Sequence, residues 1–299
     1  MMQELRNEAI HYEPVKKQPE LRRIHELATD LLQKIKANPE ESTGIPHSEW
    51  TLFNASFGGA RGELVTLTSD TGQGKSTFAW NWLKDMVHAK NVNSCLFSLE
   101  NPMSDICEIF ARMVIPKNPR DLEPKEVGEI TKTWALWPLW YFDERGMVEE
   151  DHMVNALYYA IQQKGCRFIV IDHLDYVKKA WNGRNESYVI GDFVRRLASI
   201  AHGENVTILL IVHPSKLNKP GVKTREVGMD ELKGSSAIKQ ESDTVLNIFR
   251  PDPMKNHTYL RFLKIRKYLY GKSIGGKIQF SHNFDSQELW EMSAGLEYD

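Results

Sequence analysis

The chain has 299 residues, 41% hydrophobic and 26% charged, which permits one sizeable core, or one core with a small appendage. Its formal charge of -2 excludes a general attraction to polyanions, so any nucleic-acid surface has to be a local patch. Cys95, Cys107 and Cys166 are odd in number and too widely spaced for a C-x-x-C metal pair, which argues against a disulfide framework or a zinc site.

A reducing compartment follows from the cysteines. No apolar run approaches the roughly 18 to 20 residues that span a bilayer. The opening MMQELRNEAIHYE is too polar for a signal peptide and too acidic for a transit peptide. A soluble, cytoplasmic protein without membrane contact is expected.

Residues 19 to 37 place Leu21, Ile24, Leu27, Ala28, Leu31, Leu32 and Ile35 at helical spacing, which predicts one amphipathic helix outside the core. NPEESTGIPHSEW then reads as a linker. The expected division is an N-terminal extension over 1–45 and a catalytic domain over 46–299. Within the second part, short apolar runs alternate with helical patterns: Glu63 to Thr68, Ser94 to Leu99, Leu139 to Phe142, Arg167 to Ile171, Val206 to Val212, Thr244 to Phe249 and Tyr259 to Ile265. The alternation predicts an α/β fold with a mostly parallel, twisted sheet flanked by helices on both faces. Continuous runs such as RFIVI and VTILLIV suit strands buried on both sides.

The strand ELVTLT leads into Ser69-Asp70-Thr71-Gly72-Gln73-Gly74-Lys75-Ser76 and then into the helical TFAWNWLKDMVHA, beginning at Thr77. Strand, glycine-containing loop, Lys-Ser and helix together form a Walker A arrangement, with Ser69 in place of its first glycine. Gly72 and Gly74 let successive N–H groups face phosphates, and the helix N-terminus adds partial positive charge. Lys75 then reaches the β- and γ-phosphates, and the Ser76 hydroxyl ligates Mg2+. ATP or another nucleoside triphosphate with Mg2+ is the expected ligand.

In FIVID, Asp172 closes a buried strand at the end where α/β folds place their ligands, suited to holding Mg2+ through water. Glu100 likewise ends a strand, in SLENP. It suits a carboxylate that orients and deprotonates an attacking water, and on spacing alone it suits a helix cap before Pro102 equally well. His213 ends the strand TILLIVH. From Pro214 to Arg225 the cations Lys216, Lys219, Lys223 and Arg225 occur without an acid, in a segment broken by Pro214, Pro220 and Gly221, and Lys233 follows. Such a segment fits a flexible loop that tracks the phosphates of a single strand, or a merely solvated charge run.

From about residue 43 to 292 the chain resembles the helicase domain of DnaB-type replicative helicases, above all the phage primase-helicase branch with its mitochondrial relative. The resemblance is carried by STGIPHSEWTLFNASFGGARGELVTLTS, SLENPMSD, VIDHLDYV, VHPSK, ELKGSSAIKQESDTV and FLKIRKY in that order. It implies a RecA-like core with a linker helix before it, and it implies Glu100 as the catalytic carboxylate and Asp172 in the Mg2+ site. His213 then senses the γ-phosphate and passes its state to the basic loop behind it. Gln240 matches a glutamine near the γ-phosphate and the subunit boundary. Lys264 and Arg266 match a K-x-R pair that reaches the neighbouring subunit's site, with Arg266 as arginine finger, although a basic strand end is the plainer reading of those two residues. Arg250 and Phe280 align with residues that sandwich the adenine.

The resemblance further implies a homohexameric ring moving 5' to 3' on single-stranded DNA, in a host cytoplasm if phage-encoded. At this length the chain is not expected to carry a primase beside the motor: either a primase, like a polymerase, is a separate partner, or this is a standalone helicase. Two other functions share the phosphate loop: a RecA-like recombination ATPase that forms a DNA filament without unwinding, and a loader or adaptor ATPase.

Overall fold

In the computed structural model, residues 23–37, 44–178, 186–214, 226–232, 235–252, 254–266, 276–292 and 297–298 are described. The strands in chain order are β1 (Glu63–Thr68), β2 (Ser94–Ser98), β3 (Leu139–Tyr141), β4 (Val148–Glu149), β5 (Phe168–Asp172), β6 (Val177–Lys178), β7 (Thr207–Val212), β8 (Thr244–Phe249), β9 (His257–Ile265), β10 (Gly276–Asn283), β11 (Glu288–Glu291) and β12 (Glu297–Tyr298). The helices are α1 (Ile24–Ala37), α2 (Thr51–Phe57), α3 (Lys75–Lys84), α4 (Met103–Val114), α5 (Pro124–Ala135), α6 (Glu150–Gln162), α7 (Glu186–Gly203) and α8 (Ser235–Glu241).

One sheet runs in the order β11-β10-β9-β8-β1-β7-β5-β2-β3, with β12 paired to β10. From β8 to β3 every neighbour is parallel, and from β8 outward the pairing is antiparallel. The seven expected strands are all present. The antiparallel wing formed by β10 and β11 extends the sheet beyond them. Its direction follows from chain length: the connection 250–256 is too short for the crossover of a dozen or more residues that a parallel neighbour requires, so β9 folds back on β8 as a hairpin.

All residues of β1, β2, β5, β7 and β8 are buried, because helices cover both faces of the sheet. Period-two alternation sends Ile208 and Leu210 toward Leu157 of α6 and Phe193 of α7. Leu209 and Ile211 face the opposite layer, with Phe53 of α2, Phe78 and Trp82 of α3, and Phe110 of α4. That second layer is unusually aromatic: Trp50, Phe53, Phe57, Phe78, Trp82, Phe262 and Phe280 form a run of ring contacts with centroids 4.9 to 6.2 Å apart.

Ile45 and Ala60 exchange two backbone hydrogen bonds of 2.8 Å, which tie the entry of the domain to the turn before β1. Gly59 has φ +132°, and a Cβ there would lie 2.7 Å from the carbonyl carbon of Ile45, so only glycine allows this approach. Outside the core, α1 leaves Ile24 and Leu32 exposed at 84% and 66%. Among the described residues no helix is long and apolar enough to cross a membrane.

Candidate nucleotide site

The register of the parallel strands gathers the functional side chains. Ser98 pairs with Asp172, and Thr68 with Val212, so β2, β5, β7 and β1 end at one level. Glu100, Asp172, His213 and the loop from Ser69 therefore emerge side by side at the C-terminal edge, where open α/β sheets bind ligands. They line a cavity of about 320 Å3 together with Thr71, Gly72, Gly74, Lys75, Ser76, Thr77, Asn101 and Arg250.

Gly72 and Gly74 have φ of +75° and +100°, a region costly for other residues, and Gly74 caps α3. Ser69 is fully buried and has no positive φ, so a serine fits where the Walker A pattern has its first glycine. The Lys75 ammonium donates to the carbonyl oxygens of Ser69 at 2.9 Å and Asp70 at 3.0 Å, and to Ser69 Oγ at 3.2 Å. Burial lowers the Lys75 pKa to about 8, against the pull of Asp172, Asp70 and Glu100. Ser76 Oγ donates to Asp172 Oδ2 at 2.9 Å, and Asn101 Nδ2 to the same oxygen at 3.4 Å. Burial pushes the Asp172 carboxyl up, opposed first by the Ser76 hydrogen bond.

A hydroxyl and a carboxylate oxygen held together beside a lysine form the hard, oxygen-only donor set that suits Mg2+ accompanied by phosphate oxygens. The residues present thus fit Mg2+ and a nucleoside triphosphate, with Ser76 and Asp172 as the groups that would hold the ion.

Glu100 stands opposite, two residues beyond β2. The N-cap of α4 is Pro102, and the Glu100 carboxylate accepts from His173 Nδ1 at 2.9 Å, so the helix-capping alternative is not realised. His213 stands beside Lys75, and its pKa is lowered to about 4 by burial and by the charges of Lys75 and His173. It is neutral at physiological pH and offers one N–H.

Several expected residues lie elsewhere. Phe280 is fully buried, with its ring 4.9 Å from Trp50 and 6.0 Å from Phe78, so it has no face to offer a nucleobase. The expectation that it stacks on adenine is corrected by the period of β10: two residues further along the same face, His282 lines the cavity. Near it, Phe284 lies 4.5 Å from the His282 ring and 5.4 Å from the Arg250 guanidinium. Arg250 is fixed by its N–H to Gln73 Oε1 at 2.7 Å and by its guanidinium to Lys255 O at 2.8 Å. Phe280→Ala is expected to cost about 3 to 5 kcal/mol of stability, as for other buried aromatics. Thermal denaturation with and without nucleotide checks this; a large loss of nucleotide affinity with unchanged stability would restore Phe280 to the site.

Gln240, Lys264 and Arg266 do not line this cavity. Gln240 is exposed in the last turn of α8, and its carbonyl accepts from Arg266. Lys264 Nζ donates to the carbonyls of Lys239 and Ser242, placing a cation at the C-terminus of α8. Arg266 also pairs with Asp243 at 3.4 Å. Lys216, Lys219, Lys223, Arg225 and Lys233 lie outside the described residues. A bridge between Pro214 and Leu232 joins the flanks of the segment that carries the first four. His173, Asn101, His282 and Phe284 are additions to the expected set. Of these, His173 and Asn101 lie inside motifs that carry the family resemblance, VIDHLDYV and SLENPMSD, yet neither motif assigns them a task.

A helix-flanked sheet with a phosphate loop after β1, a Ser76–Asp172 pair and a carboxylate at the end of the adjacent strand defines a nucleotide-binding domain of the RecA-like class. The chain belongs to the DnaB-like helicase C-terminal domain family, whose sequence profile matches residues 44–287. It is 28% identical over 262 residues to the DNA helicase/primase of Enterobacteria phage T3, covering 80% of this chain and 45% of that protein. With the replicative DNA helicase DnaB of Geobacillus stearothermophilus it shares 22% identity over 234 residues, 75% of this chain and 51% of the relative. The chain thus spans about half the length of these curated relatives. Among solved structures, an ATPase domain superimposes with a TM-score of 0.75 at 17% identity, covering 92% of this chain and all of that one. A DnaB-like replicative helicase structure, described with its primase interactions, gives 0.71 at 17% identity and covers 92% of this chain and 68% of that chain.

Proposed function

We propose that this domain is the ATP-driven motor of a ring-forming replicative DNA helicase that moves 5' to 3' along single-stranded DNA. The observation that carries the reading is the cradle of Lys75, Ser76 and Asp172 facing Glu100 across one cavity, within a chain of this family. Lys75 binds the β- and γ-phosphates, and Glu100 orients the attacking water and accepts its proton. Ser76 and Asp172 would hold Mg2+, which would neutralise phosphate charge when bound. Arg250, with His282 and Phe284 in place of Phe280, offers a cationic and aromatic platform for the base.

Arg266, backed by Lys264 and by Gln240 at the turn it bonds, serves the neighbouring subunit's site, so that hydrolysis requires the ring. The absence of both cations from their own chain's cavity supports this assignment. His213 reads the γ-phosphate at the root of the segment carrying Lys216, Lys219, Lys223 and Arg225, which with Lys233 grips the strand backbone without base preference. The exposed Ile24 and Leu32 of α1 suit packing on an adjacent protomer. A primase or a polymerase is a further candidate partner.

A forked duplex with a 5' single-stranded tail is expected to be unwound in the presence of Mg-ATP, by an assembly whose mass in native mass spectrometry is six chains. DNA-stimulated hydrolysis that leaves the fork intact would favour a filament-forming recombination ATPase. Hydrolysis indifferent to DNA would favour a loader or adaptor.

A further inference from the structure

His173 directly follows Asp172 and is 5% exposed. Its Nδ1 lies 2.9 Å from Glu100 Oε2, and its Nε2 lies 3.7 Å from Asp175 Oδ2. Its ring meets that of His213 edge-on, with centroids 4.2 Å apart and planes at 89°. Ligand-type atoms of Glu100, His173 and His213 all fall within 4.8 Å of one another.

An ionised carboxylate only accepts hydrogen bonds, so Nδ1 carries the hydrogen and donates to Glu100. Glu100 is 44% exposed in its side chain and reaches into the cavity from a loop. A glutamate in that setting has a side chain with much rotamer freedom to lose, and catalysis by positioning demands that it be lost before the reaction. The buried imidazole provides a fixed point: its backbone is anchored at the end of β5, its far nitrogen faces Asp175, and its ring edge is braced by His213. Contact with His213 also means that a movement of that residue displaces the ring that holds the carboxylate.

We propose that His173 is a positioning residue that holds Glu100 on its line of attack and couples it mechanically to His213. The inference rests on the reading of Glu100 as the water-orienting carboxylate. It adds a link between the γ-phosphate sensor and the catalytic base, two residues that approach the site from different strands.

The test uses the full chain with Mg-ATP and single-stranded DNA, measuring kcat and KM for ATP beside binding of a fluorescent ATP analogue. Glu100→Gln is expected to bind the analogue and to turn over at background. His173→Leu fills the same space without a donor, and is expected to lower kcat by about 10- to 100-fold with KM within about twofold, as for misplacement of a reacting group by an ångström. His173→Asn returns an N–H near the place of Nδ1 and is expected to recover most of that kcat, which a merely space-filling role would not predict. If His173→Leu is unfolded by circular dichroism, His173→Gln, whose amide nitrogen falls near Nε2 instead, replaces it with the same expected loss. Wild-type turnover in Glu100→Gln would overturn the underlying reading and this inference together. An inert Glu100→Gln beside a His173→Leu of normal kcat, or equal damage in the Leu and Asn variants, would overturn the positioning role alone.

Discussion

Replacing Arg266 with Ala is expected to leave Mg-ATP binding near the wild-type level and to lower DNA-stimulated turnover by a factor on the order of 10^3 to 10^5, the range associated with loss of an arginine finger. The side chain is 43% exposed, and its partners within the chain are Asp243 and the Gln240 carbonyl. Asp243 is buried, but it keeps its bonds to His202 at 2.6 Å and to the Leu64 N–H at 3.0 Å, so its carboxylate is not left without partners and the fold is expected to lose little. Under the proposed function, the large effect is expected to arise at the neighbour's site. In the proposed ring, mixing Arg266→Ala chains with Lys75→Ala chains would produce seams in which one chain supplies the phosphate loop and the next supplies the guanidinium, and such mixed assemblies are expected to regain part of the turnover that both pure variants lack. Normal turnover in Arg266→Ala, or no recovery on mixing, would remove the trans-acting finger.

The same residues show how far the sequence could be read. Strands β1, β2, β5, β7 and β8 were legible to within a residue or two because burial on both faces demands unbroken apolar runs, and a run as short and as apolar as TILLIV suits little besides a buried strand. β10 and β11 were not, because in a peripheral antiparallel strand only alternate residues need be apolar: GKIQFSHN commits just Ile278 and Phe280 to the core. The same periodicity explains why Phe280 does not reach the cavity, since residues 280 and 282 share a face and a two-residue offset exchanges a core phenylalanine for a cavity histidine. That Lys75, Ser76, Asp172 and Glu100 would converge on one cavity could be expected from the sequence, because phosphate chemistry restricts both the types and the strand-end positions of the residues that serve it. His173 carried no such signal. Its partners are 73 residues back and 40 ahead in the chain, brought together only by the order β1-β7-β5-β2.

The convergence also accounts for the polar cost of the site. Asp172 is 1% exposed and Lys75 6%, two ionisable groups that burial alone would disfavour, and no apolar replacement would suit phosphate. Such a cluster is tolerable because the cradle is satisfied internally: Ser76 and Asn101 bond the carboxylate, and two backbone carbonyls and a hydroxyl bond the ammonium.

Lys75→Ala is expected to weaken nucleotide binding by a factor on the order of 10^2 or more, since two charge-assisted hydrogen bonds to phosphate contribute about 1.5 to 3 kcal/mol each. Turnover is expected to fall to background. The effect on the nucleotide-free fold runs the other way. Burial holds the Lys75 pKa at about 8 against 10.5 for the free side chain, so the unfolded chain binds more protons than the folded one between those values, and stability gains with rising pH across that window. Below about pH 8 the buried ammonium is a standing cost to the fold. Its removal is therefore expected to leave the melting temperature unchanged or higher at pH 7, while abolishing the rise in melting temperature that nucleotide produces in the wild type. Raising the pH past about 8 is expected to loosen nucleotide in the wild-type protein as Lys75 loses its charge, and to have no such effect in the variant. A Lys75→Ala protein that binds ATP normally, or that retains the wild-type pH dependence of binding, would show that this ammonium is not the group that meets the phosphates.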